Sequence, residues 1–319
     1  MTDLRKENLK KLATILRIVV GVGLIIFLFW RFDINKVLQH VRDMDIRYLV
    51  YALVIYFVFI IIAAWRWQVL LNHKNFQIPF GRTMIIYFIS LFFNNLLPTT
   101  VGGDVMRVLY IMKDRKTEAL ATILVDRILG FVGLFIFAFF AVLYPLIKKQ
   151  QTEFLPVIII GLIIIVLITY VFFSARAYAV FSPVIHKLKI FSLGERLNRL
   201  HEAGTDYGGA WGLIILCIIQ SIIIQSILAI VPFLVMKSLG NFNVGLLPFF
   251  IYIPIINVIS MIPISIGALG VRENSYVLLF SRVGLPGEIS LTISLVSFVF
   301  VYFLCSLIGV IFFIFYKKR

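Results

Sequence analysis

Long apolar runs, separated by short polar segments, make up most of the chain. Six of these runs come close to, or exceed, the roughly 20 residues that a helix needs to cross a bilayer. We predict membrane-spanning helices at about 12–30, 48–71, 119–145, 155–175, 211–236 and 290–315. The pattern indicates an all-α integral membrane protein in which residues 1–319 form a single polytopic membrane domain.

Two further apolar stretches are each interrupted midway by proline and glycine. The interruption is LLPTTVGG in the first stretch and MIPISIGALG in the second. The arms on either side are short for a full crossing, and broken backbone at membrane depth is tolerated only where it is buried in protein or lines a wet cavity. We therefore predict two re-entrant helical hairpins, at approximately 83–112 and 246–281.

The composition agrees with a membrane protein, and the topology explains the charge. Hydrophobic residues make up 61% of the chain and charged residues only 14%, against roughly 25% charged in a soluble domain. With both termini in the cytoplasm and each hairpin returning to the side it left, cytoplasmic segments hold roughly twice as many Lys and Arg residues as outer segments, as the positive-inside rule requires. Most of the formal net charge of +15 is therefore topological. We predict a multi-pass protein of the plasma membrane and no nucleic-acid partner.

The two interruptions share one motif, P-x-[ST]-[VI]-G-x4-R. Residues 98–102 form the first copy, and Arg107 follows after four intervening residues. Residues 263–267 form the second copy, and Arg272 follows after four intervening residues. Proline and glycine often recur where helices break, but an arginine at a matching offset is costly in a membrane. Three predicted spans separate the hairpins, so the hairpins enter from opposite sides. This arrangement predicts an inverted repeat with a central binding site.

Eight ionisable residues lie inside the predicted membrane segments. They are the arginines Arg17, Arg66, Arg107, Arg127 and Arg272 and the acids Asp104, Asp126 and Glu273. We expect Arg17, near the end of its span, to snorkel towards the headgroups. Asp104 and Arg107 are three residues apart and could pair on a helix. Adjacent residues diverge by about 100° around a helix, so Asp126 with Arg127, and Arg272 with Glu273, are not expected to pair directly.

These residues suit an anionic ligand. The planar guanidinium makes bidentate phosphate contacts that lysine cannot reproduce, and helix starts after the two breaks would add backbone N–H donors. We hypothesise a lipid headgroup site formed by Arg66, Thr100, Gly102, Gly103, Asp104, Arg107, Asp126, Arg127, Ser265, Gly267, Arg272 and Glu273. The competing interpretation is a structural polar network that locks the helices together.

Enzyme chemistry finds little support in the sequence. The four histidines lie in loops or interfacial stretches without metal-ligand spacing, and no nucleophile elbow, Walker motif or zinc-protease motif occurs. The two cysteines lie within apolar runs and give no disulfide framework. We expect no cofactor, no metal and no catalytic residue.

Four segments resemble a known family. NNLLPTTVGGDVMRVLYI, ATILVDRILGFVGL, MIPISIGALGVRENSYVLLF and the AAWRWQVL segment around Arg66 are similar to the lysylphosphatidylglycerol synthase transmembrane region, a flippase-like domain family. In family members that also make the lipid, this region precedes a soluble domain that moves lysine from its tRNA onto phosphatidylglycerol, and the membrane region is implicated in flipping the product outward. We expect this chain to lack the soluble synthase domain, so the resemblance implies lipid translocation rather than synthesis.

Two functions follow as hypotheses. The first is a translocator of an anionic phospholipid or polyprenyl-phosphate lipid, with aminoacylated phosphatidylglycerol among the candidates. The second is a non-transporting membrane partner of a lysylphosphatidylglycerol synthase or a lipid glycosylation enzyme. The partners left open are the lipid itself, a separately encoded lipid-modifying enzyme and a second copy in a homodimer.

Overall fold

The structure is a computed structural model of the chain. It describes residues 19–20, 22–24, 26–28, 30–32, 34–96, 102–111, 115–148, 153–174, 177–178, 201–240, 242–262 and 264–316. The predictions made for Arg17 and Thr100 fall outside these residues.

The described residues are helical almost throughout, which confirms the predicted all-α class. The helices with both ends in the described part of the chain are α1 (Ile34–Arg42), α2 (Ile46–His73), α3 (Phe80–Leu96), α4 (Gly102–Tyr110), α5 (Lys116–Ile147), α6 (Leu155–Phe173), α7 (Trp211–Leu239), α8 (Leu247–Met261), α9 (Val271–Phe280) and α10 (Gly287–Phe315). Residues Ser297–Phe303 of α10 form a π-helical segment.

Five predicted spans correspond to helices that are long and apolar enough to cross a membrane. These helices are α2, α5, α6, α7 and α10, with 28, 32, 19, 29 and 29 residues. An unbroken helix satisfies its backbone hydrogen bonds internally, which a lipid environment demands. In the sixth predicted span, 12–30, the described positions are helical, and the ends of that helix lie outside the described residues.

The first interrupted stretch folds into a hairpin. Helices α3 and α4 contain 17 and 9 residues, or about 26 and 14 Å at 1.5 Å per residue. Arg115, just after α4, donates a hydrogen bond to the carbonyl of Lys74, before α3, over 2.8 Å. Its guanidinium also lies 4.3 Å from the ring centroid of Phe76. The stretch therefore returns to the end from which it left.

The second interrupted stretch also brings its ends together. Helices α8 and α9 contain 15 and 10 residues. Phe249, near the start of α8, and Phe280, the last residue of α9, lie with ring centroids 4.5 Å apart, and both are fully buried. Both hairpins thus have arms shorter than a bilayer core of about 30 Å. Their insertion into a membrane as re-entrant elements stays a prediction.

The shared motif does not give the same local structure twice. Gly102 is the first residue of α4, so Arg107 lies in the last turn of that short helix. Gly267 instead adopts a φ of 59° in a 3-10 turn, a conformation that glycine reaches without strain. Helix α9 begins only at Val271, so Arg272 lies in its first turn. The inverted repeat therefore stays a prediction.

The chain folds into two compact units that are interleaved along the sequence. Unit 1 comprises Met1–Phe57, Ile89–Gly103 and Leu228–Phe315, and unit 2 comprises Val58–Phe88, Asp104–Ile227 and Tyr316–Arg319. Because each unit collects separate segments, the units are not successive domains of the chain. The single membrane domain stays a prediction.

The core of unit 1 includes the amphipathic helix α1. Val37 is buried against Leu28, Val277 and Leu291. Its neighbour Leu38 is half exposed. The apolar side of α1 thus packs partly on the protein and leaves part of its surface exposed.

The core of unit 2 is anchored at one end by Tyr207. This tyrosine is fully buried, packs with Leu70 and Cys217, and donates its hydroxyl hydrogen to the carbonyl of Leu70 over 2.9 Å. Burial raises the pKa of Tyr207, so the hydroxyl retains the proton that it donates. Next to it, Lys74 pairs with Asp206 and lies 5.4 Å from the Tyr207 ring centroid. The C-terminal end of α2 is thereby fixed beside the segment that leads into α7.

Contacts at the helix ends agree with the predicted sides. In unit 2, Lys74 pairs with Asp206. The alternation of spans predicts that the segments containing these two residues lie on the same side of the membrane. In unit 1, the amide of Asp45 donates to the carbonyl of Ser238 over 2.8 Å, and both segments are predicted on the other side. The assignment of the first side to the cytoplasm rests on the distribution of Lys and Arg.

Candidate functional site

Asp126, on α5, lies between two arginines of unit 2. Arg66 of α2 donates from Nε to Oδ1 over 2.7 Å, and Arg107 of α4 donates from Nη1 to Oδ2 over 3.2 Å. All three residues are at most 8% exposed. One buried carboxylate therefore joins three helices, and each of its oxygens accepts a charge-assisted hydrogen bond.

Arg66 continues the network to a fourth helix. Its Nη1 donates to Oγ of Ser221, on α7, over 2.7 Å, and Ser221 donates in turn to the carbonyl of Cys217 over 2.6 Å. Gly133 of α5 makes room for this arrangement, because a Cβ there would come within 2.2 Å of the Ser221 Cβ. The Arg66 guanidinium lies beside Gly130, where an added Cβ would be in ordinary van der Waals contact with it at 3.6 Å. Gly133 thus lets α7 approach α5 closely.

Arg107 is also held by two aromatic rings. Its guanidinium carbon lies 5.0 Å from the ring centroid of Trp67 and 4.4 Å from that of Tyr87. Cation–π contacts of this kind strengthen when water is excluded. Arg107 is therefore desolvated and well held in this structure.

A second ion pair lies beside the first and is more accessible. Arg127 of α5 donates from Nε to Oδ2 of Asp104, on α4, over 2.5 Å. The side chains of Arg127 and Asp104 are 29% and 14% exposed. Asp104 thus forms a hydrogen-bonded ion pair across helices, and its pairing with Arg107 along α4 stays a prediction. Because Asp126 and Arg127 diverge around α5, one faces Arg107 and the other faces Asp104.

The five residues Arg66, Asp104, Arg107, Asp126 and Arg127 are called the arginine–aspartate cluster below. It contains three arginines and two aspartates among helices that are otherwise strongly apolar. The formal charge of the cluster is therefore positive. Arg127 is its most exposed member and Arg66 and Arg107 are buried.

In unit 1, Arg272 and Glu273 group with Ser294 and Phe298, and these four residues are called the Arg272 cluster below. Nε of Arg272 donates to Oε1 of Glu273 over 2.9 Å, and Ser294 Oγ lies 3.4 Å from the same oxygen. The guanidinium also lies 4.0 Å from the ring centroid of Phe298, in the π-helical segment. π-Helical turns within α-helices occur frequently at functional sites.

The direct pairing of Arg272 with Glu273 corrects the expectation that adjacent residues would not satisfy each other. Glu273 lies in the first turn of α9 and turns back to accept the amide hydrogen of Gly270 over 2.6 Å. This capping contact moves the carboxylate towards the N-terminal side of α9. The long side chain of Arg272 can then reach it.

One backbone donor at each helix start is already engaged. The amide of Gly103 donates to Oδ1 of Asn94 over 2.9 Å, and the amide of Gly270 donates to Oε2 of Glu273 over 2.6 Å. A Cβ at Gly103 would lie 2.2 Å from the carbonyl oxygen of Ser90, so this glycine allows the hairpin arms to touch. These two amides are therefore capped by the protein's own side chains in this structure.

The other predicted site residues near the breaks differ in exposure. Gly102 is buried at the start of α4, and Gly267 is exposed. Ser265 is 4% exposed, and its hydroxyl has no hydrogen-bond partner among the described residues. The structure thus gathers five predicted residues in unit 2 and two in unit 1. The convergence of all of them on one headgroup stays a prediction.

Sequence reasoning missed several side chains that complete these clusters. They are Ser221, Trp67, Tyr87, Asn94, Ser294 and Phe298. Ser221 carries a usable signal, because CIIQSIIIQS places polar residues inside an otherwise apolar span. The aromatic residues carry none, because tyrosine, tryptophan and phenylalanine are common throughout the chain.

The arrangement of apolar spans, hairpins and buried arginines can be compared with known proteins. The family described as the lysylphosphatidylglycerol synthase TM region matches residues 14–309. The chain belongs to this family. Membership confirms the resemblance carried by the four sequence segments, and it extends over nearly all the helices described above.

Two relatives of this lysylphosphatidylglycerol synthase TM region protein are UPF0104 membrane proteins. One, from Methanothermobacter thermautotrophicus, is 25% identical over 99% of this chain and 96% of its own length. The other, from Pyrococcus horikoshii, is 31% identical over 55% of this chain, and the match spans only 54% of that relative. No solved structure matches the chain.

Proposed function

We propose that this lysylphosphatidylglycerol synthase TM region protein translocates a lipid and holds the phosphate of its headgroup with arginine side chains. The observation that carries the proposal is the arginine–aspartate cluster, in which three arginines meet two aspartates among membrane-spanning helices. A network that only locks helices together has no need of excess charge. An excess of arginine favours an anion, and the guanidinium fork suits phosphate.

The cost of these arginines supports a role beyond packing. Placing one arginine at the centre of a bilayer costs about 2.5–3.5 kcal/mol even on the lenient insertion scale. Serine, threonine or glutamine could join the helices at a lower cost. Charged residues within membrane segments therefore mark ligand or ion pathways by default.

Within each unit, the more accessible arginine is an expected contact for a phosphate-bearing headgroup. Arg127 is paired with Asp104 but partly exposed, and Arg272 is paired with Glu273 with 14% of its side chain exposed. Arg66 and Arg107 are buried and contribute to the site indirectly, by pairing with Asp126. The lipid belongs to the phosphate-bearing class, anionic phospholipids and polyprenyl phosphates. The family description makes aminoacylated phosphatidylglycerol a candidate to test first.

Lipid movement in proteoliposomes tests this function. Full-length protein is reconstituted with a fluorescent phosphatidylglycerol, and the fraction that changes leaflet is measured by quenching from outside. We expect Arg127→Gln and Arg272→Gln to reduce the rate at least tenfold. The matched control is Arg42→Gln, at an exposed arginine of α1, which should leave the rate unchanged.

Two results would contradict the proposal. If both variants moved lipid as fast as the unmodified chain, the arginine site would be wrong. If the unmodified chain moved none of the phosphate-bearing lipids, the non-transporting partner hypothesis would replace translocation.

A further inference from the structure

An open surface cavity of about 420 Å³ lies in unit 1, well away in sequence from the charged clusters. It is lined by Asp43, Asp45, Tyr48, Lys237, Ser238, Leu239 and Gly240. Its volume falls within the range of small-ligand sites, roughly 300–1,000 Å³. The walls come from the segment that enters α2 and from the C-terminal end of α7.

Asp45 builds the wall of this cavity. Its carboxylate accepts hydrogen bonds from the amide and the guanidinium of Arg47, including one of 2.8 Å from Nη2. These hydrogen bonds hold the pKa of Asp45 below its ordinary value, so the carboxylate stays ionised. The amide of Asp45 donates to the carbonyl of Ser238 over 2.8 Å and so joins the two walls. The carboxylate and the amide of Asp45 therefore already form hydrogen bonds within the protein.

Asp43 and Lys237 are the charges left for a ligand. Neither forms an ion pair within the described residues, and the Lys237 ammonium lies 5.7 Å from the ring centroid of Phe233. The carbonyls that end α7 add partial negative charge, as the last turn of any helix does. The cavity thus offers a carboxylate with carbonyl oxygens, and a separate ammonium.

We propose that this cavity binds a zwitterionic group that carries a primary amine and a phosphate or carboxylate. The amine is held by the Asp43 carboxylate and the carbonyls at the end of α7, and the anion is held by Lys237. A ligand with both charges pairs with Asp43 and with Lys237, whereas a simple cation pairs only with Asp43 and a simple anion only with Lys237. This site is independent of the proposed translocation by the arginine–aspartate cluster.

The position of the cavity favours a headgroup as the ligand. Asp43 and Asp45 immediately precede a membrane-spanning helix, and Lys237 to Gly240 end another. The ends of spans lie at the depth of lipid headgroups. Tyr48, with Tyr51 edge-on at 6.3 Å, supplies the aromatic character typical of that zone. An aminophospholipid and a free zwitterion share the same chemistry here.

Binding of soluble headgroups to the purified full-length protein tests the site. The probes are glycerophosphoethanolamine, glycerophosphoglycerol, which lacks the amine, and ethanolamine, which lacks the phosphate. We expect glycerophosphoethanolamine to bind at least tenfold more tightly than the other two. Asp43→Asn and Lys237→Gln should each weaken it at least tenfold, Lys237→Arg should restore most of it, and Lys36→Gln, an exposed lysine outside the cavity, should change nothing.

Retention of phosphatidylethanolamine from nanodiscs, measured by native mass spectrometry, identifies the source. Retention that Asp43→Asn abolishes supports the site with a lipid ligand, and binding of the soluble probe alone supports it with a free zwitterion. Equal affinity for the three probes, no binding by the unmodified chain, or no loss in correctly folded Asp43→Asn would overturn the proposal.

Discussion

Asp126 is the carboxylate that two buried arginines share. Its two oxygens serve Arg66 and Arg107, and all three residues are buried. Removing one partner of a buried ion pair leaves an uncompensated charge, which costs about 3–5 kcal/mol. Asp104 accepts a hydrogen bond from Arg127, and that pair is more exposed than the Asp126 network.

We therefore predict different costs for two chemically identical substitutions. Asp126→Asn should lower the free energy of unfolding by about 3–5 kcal/mol, because two buried guanidiniums lose their carboxylate. Asp104→Asn should lower it by less than Asp126→Asn does, because the hydrogen-bonded partner of Asp104 is Arg127, whose side chain is 29% exposed. Denaturant unfolding of both variants in the same detergent measures the difference, and equal losses would mean that Asp126 is not the shared counter-ion.

At the scale of single residues, the sequence identified the charges but not their partners. The eight ionisable positions follow directly from reading polar residues inside apolar runs. Their pairing depends on how each helix is rotated and on how helix ends are capped. Asp104 therefore pairs with Arg127, and Arg272 reaches Glu273 only because Glu273 turns back to Gly270.

The two arms of the first hairpin, α3 and α4, approach each other closely at Gly103. Asn94 caps the amide of Gly103, and the carbonyl of Ser90 occupies the space where a side chain at position 103 would begin. The contact holds the end of α3 against the start of α4. It also sets the direction in which α4 presents Asp104 and Arg107.

Gly103→Ala should disrupt this hairpin. The added Cβ would lie 2.2 Å from a backbone oxygen, so the arms must separate, and we expect a loss of about 1–3 kcal/mol in unfolding free energy. Gly81→Ala, near the start of α3, has nothing within 4 Å of the new Cβ and should be neutral or slightly stabilising. Unfolding temperatures in detergent compare the two, and a neutral Gly103→Ala would show that the arms do not touch there.

At the scale of elements, the sequence predicted correctly those helices that backbone hydrogen bonding in lipid requires. Predicted spans such as 119–145 match observed helices such as Lys116–Ile147 to within a few residues, since apolar length alone requires a helix in lipid. The breaks were located by proline and glycine. The π-helical segment Ser297–Phe303 and the unequal starts of α4 and α9 were not predicted, because both arise from packing rather than from local composition.

For the whole molecule, the topology makes a prediction about the two sides of the membrane. Single cysteines at Lys36 and Arg282 should react with a membrane-impermeant maleimide on intact cells, whereas cysteines at Lys116 and Glu202 should react only after permeabilisation. All four positions are solvent-exposed or lie at helix ends in the structure. The unmodified chain is the control, since Cys217 and Cys305 are buried.

Each labelling result tests one turn of the chain. Reaction at Arg282 only after permeabilisation would mean that 246–281 crosses the membrane once instead of returning. Opposite behaviour of Lys116 and Glu202 would contradict the pair of spans, α5 and α6, between them. The parity of the spans could be derived from hydropathy and charge. The positions of the two charged clusters depend on tertiary structure and could not.

The pairing of Arg66, Arg107, Arg127 and Arg272 with carboxylates has a kinetic consequence for the proposed function. A phosphate that binds these arginines must displace a carboxylate that the protein already supplies. Under the proposed function, binding is then an exchange of one anion for another. We expect such exchange to make lipid release fast, since Asp126, Asp104 and Glu273 can pair again with their arginines when the lipid leaves.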